Sequence, residues 1–393
     1  MSLRSCSSGT QRCVLTLLLA LLLLLGALRP RAAEPGLTQV ARLSAAYDAI
    51  LRAQFDEARA RIEDACPPAP QPACDALRAT NLWWEIQQDI DDRRLDAAFE
   101  QASERAVAAA RAWTRREPQR AEAWFYFAGA HGPLSQWRVF RGERLAAARD
   151  GKTIKDALER AVALDPALQD AYFGIGLYHY YADVAPAAVR LLRMLLLLPG
   201  GDREQGLAEM LRTRERGELL KGEADYQLHF IYLWYEKQPQ RALDLLGSLD
   251  ARYPSNPVFL RRTADIQHQH LGDHRASARA WQTMLTRADA GRVTAPAATA
   301  ARARVGLAIE LIDMGEATRA IDLVAPVDRD APASPYDIAA RASLAIGDAY
   351  ATIGDVDRAS NAYARAIARA SRDDPDEIRA RARRALAAMK RKR

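Results

Sequence analysis

The sequence predicts an all-α chain built as a helical solenoid, and three observations carry that expectation. First, Ala242 and Ala276, 34 residues apart, occupy the same place in a recurring helical pattern. A small residue recurs where two helices cross closely, because a larger side chain would push them apart. Fixed periods in this range mark solenoids, whose units bury their apolar faces only against their neighbours. Second, the 393 residues are rich in Ala, Leu and Arg, which are good helix formers. Third, no alternating strand pattern of useful length occurs.

The N-terminus, residues 1–33, reads as an export leader. Arg4 and Arg12 precede an apolar run from Val14 to Leu25, followed by Gly26, Ala27 and the small residues Ala32 and Ala33. A positive start, a short apolar stretch and small residues at its end are the parts of a secretory signal. The run is short for a membrane span, which needs about 20 apolar residues. Cleavage is expected after Ala33, with an uncleaved inner-membrane anchor as the alternative because Arg31 is awkward there. Either way the body is expected outside the cytoplasm, in the periplasm of a bacterial envelope.

Residues 34–118 carry loosely patterned helices, around Tyr47, Phe55 and Ala58, and a proline-rich turn. That turn, "PPAPQPA", lies between Cys66 and Cys74, the only cysteines after the leader. In an oxidising compartment the pair is expected to form a disulfide that pins the turn; two free buried thiols are the alternative.

Residues 119–257 and 258–375 hold the clearest repeats. Number a unit 1 to 34 with its alanine at 20. Glu223 to Asn256 then places Tyr226 at 4, Ala242 at 20, Leu246 at 24 and Pro254 at 32. The unit from Ala340 gives Ile346 and Gly347 at 7 and 8, Tyr350 at 11, Gly354 at 15, Ala359 at 20 and Ala366 at 27. Leu307, Leu311, Gly315, Ala320 and Pro332 fall on the same grid. In "ALERAVALDPALQDAYFGIG", Ala161 falls at 27 and Pro166 at 32; Tyr172, Ile175 and Gly176 open the next unit at 4, 7 and 8.

On these residues, and on "AEAW" at Ala121 to Trp124, the chain resembles the tetratricopeptide repeat (TPR) superfamily over most of residues 40–375. The run from "WFYFAGA" through "LPGGDREQG" to "YPSNP" also looks like a branch of exported bacterial repeat proteins. The pattern is interrupted by two insertions, after His131 and after Tyr181. The resemblance implies paired antiparallel helices, a right-handed superhelix and a concave groove that binds protein. It implies no reaction and no cofactor.

By that resemblance, unit positions 2, 5, 9, 12 and 13 face the groove. Two units carry aromatics at both 12 and 13, Tyr180–Tyr181 and Trp234–Tyr235, with Phe173 at 5 and Ile231 at 9 on the same surface. Large rigid aromatics dominate binding hot spots, so these six residues are the candidate partner site for a protein or peptide. The competing expectation is that they are ordinary core, covered by the apolar run Val189 to Gly201. In the first insertion Arg138, Arg141 and Arg144, three apart, form a basic edge on one helical side. It would either grip an anionic partner or pair within the chain; the internal reading is favoured. An envelope protein holding a small molecule or lipid chain in an aromatic pocket is the alternative function.

Charge excludes a nucleic-acid surface. Of the net +6, the leader holds +4, and the basic tail 376–393 holds +6, which leaves the body from Glu34 to Pro375 at −4. The tail offers at most a weak membrane contact; a solvated last helix is the simpler expectation.

Catalytic patterns are weak. "DGKT" at Asp150 to Thr153 lacks the first glycine and the leading strand of a phosphate loop. "GGDREQG" reads as a helix start, with Asp202 as N-cap and Gln205 completing a capping box. His268, His270 and His274 lie near Asp265 and Asp273, but side chains two apart on a helix diverge. A turn before His274 would bring two of them together as a weak metal site; a polar helix-turn-helix corner with no metal is the favoured expectation, and a metal-assisted hydrolase is the remotest option. The chain is expected not to be an enzyme.

Overall fold

The computed structural model describes residues 36–185 and 200–392. The leader expectation for residues 1–33 lies outside them, as does the apolar run from Val189 as far as Pro199. No helix among the described residues is long and apolar enough to cross a membrane.

Among the described residues there are 17 helices and no strand. In chain order they are α1 (Val40–Leu51), α2 (Phe55–Ala65), α3 (Gln71–Ile86), α4 (Asp96–Arg116), α5 (Ala121–Phe140), α6 (Arg144–Leu164), α7 (Ala171–Val184), α8 (Arg203–Arg216) and α9 (Lys221–Phe230). They continue as α10 (Pro239–Arg252), α11 (Pro257–Gln269), α12 (His274–Asp289), α13 (Pro296–Asp313), α14 (Ala317–Arg329), α15 (Ile338–Ile353), α16 (Val356–Arg369) and α17 (Ile378–Lys392). Consecutive helices pack in pairs, α1 on α2 through α15 on α16, and α17 packs on the last pair.

The small residue that sets this pairing is the fourth in each second helix. Ala58, Ala147, Gly206, Ala242, Ser277, Ala320 and Ala359 all hold it and all are buried, with Phe99 of α4 as the exception. The grid needs one correction: in α12 the buried residue is Ser277, whereas Ala276 is only half-buried, so this unit is one residue longer than the 34-residue grid. The helices also meet at glycines of the first helix. A Cβ at Gly306 would lie 2.4 Å from the Trp281 ring, and one at Gly347 would lie 2.6 Å from the Tyr363 ring.

The expected insertion after His131 is instead a lengthening of one hairpin. α5 runs through Pro133 to Phe140 and α6 answers it with 21 residues, Arg144–Leu164. Proline within a helix clashes with the carbonyl four residues back; here that residue is Gly129, beside which there is open space. Asp202 does cap α8, accepting from the Gln205 amide at 2.9 Å, but the box is half made. The Gln205 side chain turns to Glu209, and the Asp202 amide donates to the His179 carbonyl at 3.1 Å. The Cys66–Cys74 disulfide is formed and ties the end of α2 to the first turn of α3.

The N-terminal helices do more than begin the series. α1 and α3 lie across the later hairpins and are fastened to them by contacts far apart in sequence. Thr38 donates through its amide (2.7 Å) and hydroxyl (2.9 Å) to Glu122 of α5. Ser44 reaches the Glu218 carbonyl at 3.1 Å, and Asp48 accepts from Tyr253 at 2.9 Å. Asn256 donates to the Leu51 carbonyl at 2.9 Å, and Thr294 donates to that of Ala53 at 2.6 Å. From α3, Trp84 packs on Tyr226 of α9 and Phe259 of α11, with ring centres 4.7 and 6.2 Å away. Just beyond it, Asp89 pairs with Arg302 of α13 at 2.9 Å and Asp91 with Arg341 of α15 at 3.3 Å. The face of α9, α11, α13 and α15 that would be free for a ligand is therefore met by the chain's own first helices.

Candidate partner-binding site

The six aromatic and aliphatic candidates divide. Phe173, Tyr180 and Ile231 are buried, Ile231 completely, and belong to the core; this corrects their assignment to a contact surface. All three join the main hydrophobic cluster, which the pattern of spacing does not separate from an open face. Tyr181, Trp234 and Tyr235 are 36, 50 and 45% exposed, among the most exposed large apolar side chains described.

Tyr181 projects from the last part of α7, and the other two are placed by an irregular turn. After Phe230, α9 widens into a π-helical turn over Ile231–Tyr235, closed by the Glu236 amide on the Ile231 carbonyl at 3.0 Å. Lys237 then takes a left-handed conformation, φ 55°, and ends the helix. A π turn carries one more residue per turn than an α turn, so it rotates the side chains that come after it; such turns recur at functional sites. Here it buries Ile231, Tyr232 and Leu233 and sends Trp234 and Tyr235 outward.

The rings are ordered by edge-to-face contacts. Tyr235 meets Tyr181 at 5.4 Å and Tyr180 at 5.9 Å between centres, and Trp234 meets His270 at 4.8 Å. Below them, Tyr180 donates its phenol to Glu236, which Arg203 of α8 grips from the other side. The Arg203 guanidinium holds the Glu236 carboxyl below the usual carboxylate range. The platform under the exposed rings is thus fixed by a charge-assisted network, and rigid aromatics on a fixed base bind at low entropic cost.

The basic edge is not a free surface. Arg141 pairs bidentately with Asp96, both contacts at 2.7 Å, and donates to the Ile90 carbonyl at 2.9 Å. Arg138 pairs with Asp150 at 2.5 Å, and the same carboxylate meets His131 at 3.0 Å. Of the three, Arg144 alone stands exposed. Asp150 of "DGKT" is consumed in this buried pairing, and Lys152 pairs with Asp156.

The histidines also separate differently from their order in sequence. His270 leaves the group to meet Trp234 edge to face. His268, at the end of α11, and His274, at the start of α12, come together with ring centres 5.2 Å apart. Both face Glu310 and Asp313 of α13, which sequence spacing did not connect to them. Asp273 is spent as the N-cap of α12, accepting from the Ala276 amide at 2.9 Å. Only the chain reversal at Gly272 (φ 62°) marks the turn that makes this meeting.

No family model and no curated protein matches the chain. Among solved structures it is similar to the APC/C hetero-tetramer Cut9–Hcn1, at 12% identity over 86% of this chain and 53% of that one, with a TM-score of 0.46. It is similar to the human IFIT1 dimer with PPP-AAAA, at 12% identity over 81% and 69% of the two chains, TM-score 0.34. A third is the P58(IPK) TPR domain, at 14% identity over 81% and 99%, TM-score 0.21. The chain spans about half the length of the Cut9–Hcn1 chain. The fold itself, packed consecutive helix pairs with small residues at the crossings, is an all-α helical solenoid among the described residues.

Proposed function

We propose that this chain is a non-catalytic scaffold of the bacterial envelope that holds a protein or peptide partner on the exposed aromatic patch of Tyr181, Trp234 and Tyr235. The observation that carries the reading is the π turn, which presents two large aromatics to solvent on a rigid base. Apolar side chains of this size, half exposed and mutually ordered, mark interaction surfaces. The placement of α1 and α3 supports the patch over the face of α9 to α15 as the docking surface, because that face already has an occupant. The fold supports a protein partner in general terms, and the leader pattern of residues 1–33 supports export.

Capture from envelope extract tests it, using the chain beside a variant with Tyr181→Ala, Trp234→Ala and Tyr235→Ala and an unchanged melting temperature. A protein held by the native chain and lost in the variant is expected. A partner held equally by both would remove the patch from the proposal, and no protein partner at all would remove the scaffold.

A further inference from the structure

We propose that His268, His274, Glu310 and Asp313 form a binding site for a divalent transition-metal ion of the zinc class, at the junction of the α11–α12 turn with the end of α13. One ligand atom from each residue can be chosen so that all four lie within 4.8 Å of one another. His274 Nδ1 is 2.9 Å from Glu310 and 3.5 Å from Asp313; His268 Nδ1 is 3.1 and 3.9 Å from the same two carboxylates. Tetrahedral zinc with nitrogen and oxygen ligands at about 2.0–2.2 Å sets neighbouring ligand atoms about 3.3–3.6 Å apart. The observed separations bracket that value, so small side-chain rotations bring all four onto one ion.

Each ligand is placed by a different local rule. Glu310 and Asp313 are i and i+3 on α13 and share a side of it. His268 sits in the last turn of α11, and His274 opens α12, delivered by the turn at Gly272. Glu310 is buried, and the Ser277 hydroxyl donates to it at 2.8 Å, the kind of outer partner that orients a metal-binding carboxylate. Ser277 is also the small residue at the crossing of the hairpin, so the packing of the repeat and the orientation of Glu310 share one side chain.

Charge favours a cation here. Among the described residues the two histidines are the ion-pair partners of Glu310 and Asp313, and neither carboxylate pairs with Lys or Arg. Two carboxylates without a fixed cation repel, and a dication relieves that repulsion. The C-terminal ends of α11 and α13 bring negative partial charge to this point, against the positive N-terminal end of α12. Two imidazoles with two carboxylates select zinc-like ions over calcium or magnesium, which prefer all-oxygen sets. Four protein ligands leave no open position, so the ion's work is to fasten the α11–α12 turn to the next hairpin.

The test is calorimetric titration of zinc into the full-length chain, carrying no added histidine tag and stripped with chelator. Saturable binding of one zinc is expected, with a raised melting temperature and no comparable response to magnesium or calcium. His274→Gln and Glu310→Gln should each weaken zinc by about tenfold or more, whereas His270→Ala should leave it unchanged. Circular dichroism of each variant separates lost ligation from lost folding, and His268→Gln provides an independent ligand removal should one variant not fold. Absent saturable zinc binding, or binding that survives all three ligand substitutions in folded protein, would overturn the site and leave the four side chains as ordinary ion pairs.

Discussion

The phenol of Tyr47 donates to the carboxylate of Glu223 at 3.1 Å, joining α1 to α9 across 176 residues of chain. Glu223 is wholly buried, and burial pushes its carboxyl above the usual range. It also accepts from the Trp84 indole at 3.2 Å and from the Gln227 amide at 3.1 Å, so one side chain joins α1, α3 and α9. Glu223→Ala leaves two buried donors, the Tyr47 phenol and the Trp84 indole, without their acceptor, each worth about 1–3 kcal/mol, while Gln227 keeps Gln136; it should cost about 2 kcal/mol or more. Tyr47→Phe should cost about 1–2 kcal/mol. Chemical denaturation measures both, and amide exchange should rise first in α1. A near-neutral Glu223→Ala would mean that the N-terminal helices are not held by this contact.

Asp170 organises the turn into α9 in a comparable way. Its buried carboxylate accepts from the amides of Glu218, Leu219 and Leu220 at 2.8, 3.0 and 2.8 Å. Backbone donors taken from water need partners, and hydrogen bonds to a charged acceptor are worth about 1.5–3 kcal/mol each. Asp170→Ala should therefore destabilise by about 3 kcal/mol or more, read by urea midpoint at unchanged slope.

Acid should weaken the fold through His229. It is completely buried, and burial, with Arg262 next, depresses its pKa from 6.5 to about 3. The folded state thus stays neutral where the unfolded chain takes up a proton. Stability from this group is complete above about pH 6.5 and falls as the pH drops toward 3, by about 2 kcal/mol at pH 5. His229→Phe should remove that increment. Stability at pH 5 and pH 7.5 for both proteins measures it; equal pH dependence would show that His229 titrates normally.

The sequence carries local rules well and distant meetings poorly. Ala242, Ala320 and Ala359 mark the crossings because a small side chain there is a condition of pairing, readable from one helix at a time. The one-residue slip at Ser277 escapes because Ala276 beside it is equally small. Glu310 lies 36 residues from His274, and Tyr47 lies 176 from Glu223. No periodicity connects such pairs. The π turn at Ile231–Tyr235 is likewise invisible, since its residues suit an ordinary helix, and it decides which aromatics face outward. That is why Ile231 and Trp234, three apart and expected on one surface, end on opposite sides of the boundary.

The division of the aromatic cluster has a direct test. Ile231→Ala empties a fully buried site and should cost about 2–5 kcal/mol. Trp234→Ala and Tyr235→Ala remove half-exposed rings and should cost about 1 kcal/mol or less each. Thermal melts of the three variants decide between a surface and a core. Losses of several kcal/mol at Trp234 would put the ring in the core and take away the patch.

Two glycines should respond to alanine with opposite sign. At Gly206 of α8 a Cβ would stand 2.6 Å from both the Gly176 carbonyl oxygen and the Tyr180 amide nitrogen. Those are backbone atoms of α7, so relief requires the helices to separate, and overpacking of this kind costs about 1–3 kcal/mol. Gly247 of α10 is exposed with nothing within 4 Å of its added Cβ. Alanine there should stabilise by about 0.5–1 kcal/mol, because glycine in a helix gives up more freedom on folding. Denaturation of both variants reads the signs. Because α7 carries Tyr181 and α8 carries Arg203, Gly206→Ala should also weaken partner capture on the proposed patch, whereas Gly247→Ala should leave it intact. Equal stability changes at the two sites would show that the α7–α8 crossing has slack, and the exposed ring of Tyr181 would then lack the rigid base that the proposed patch requires.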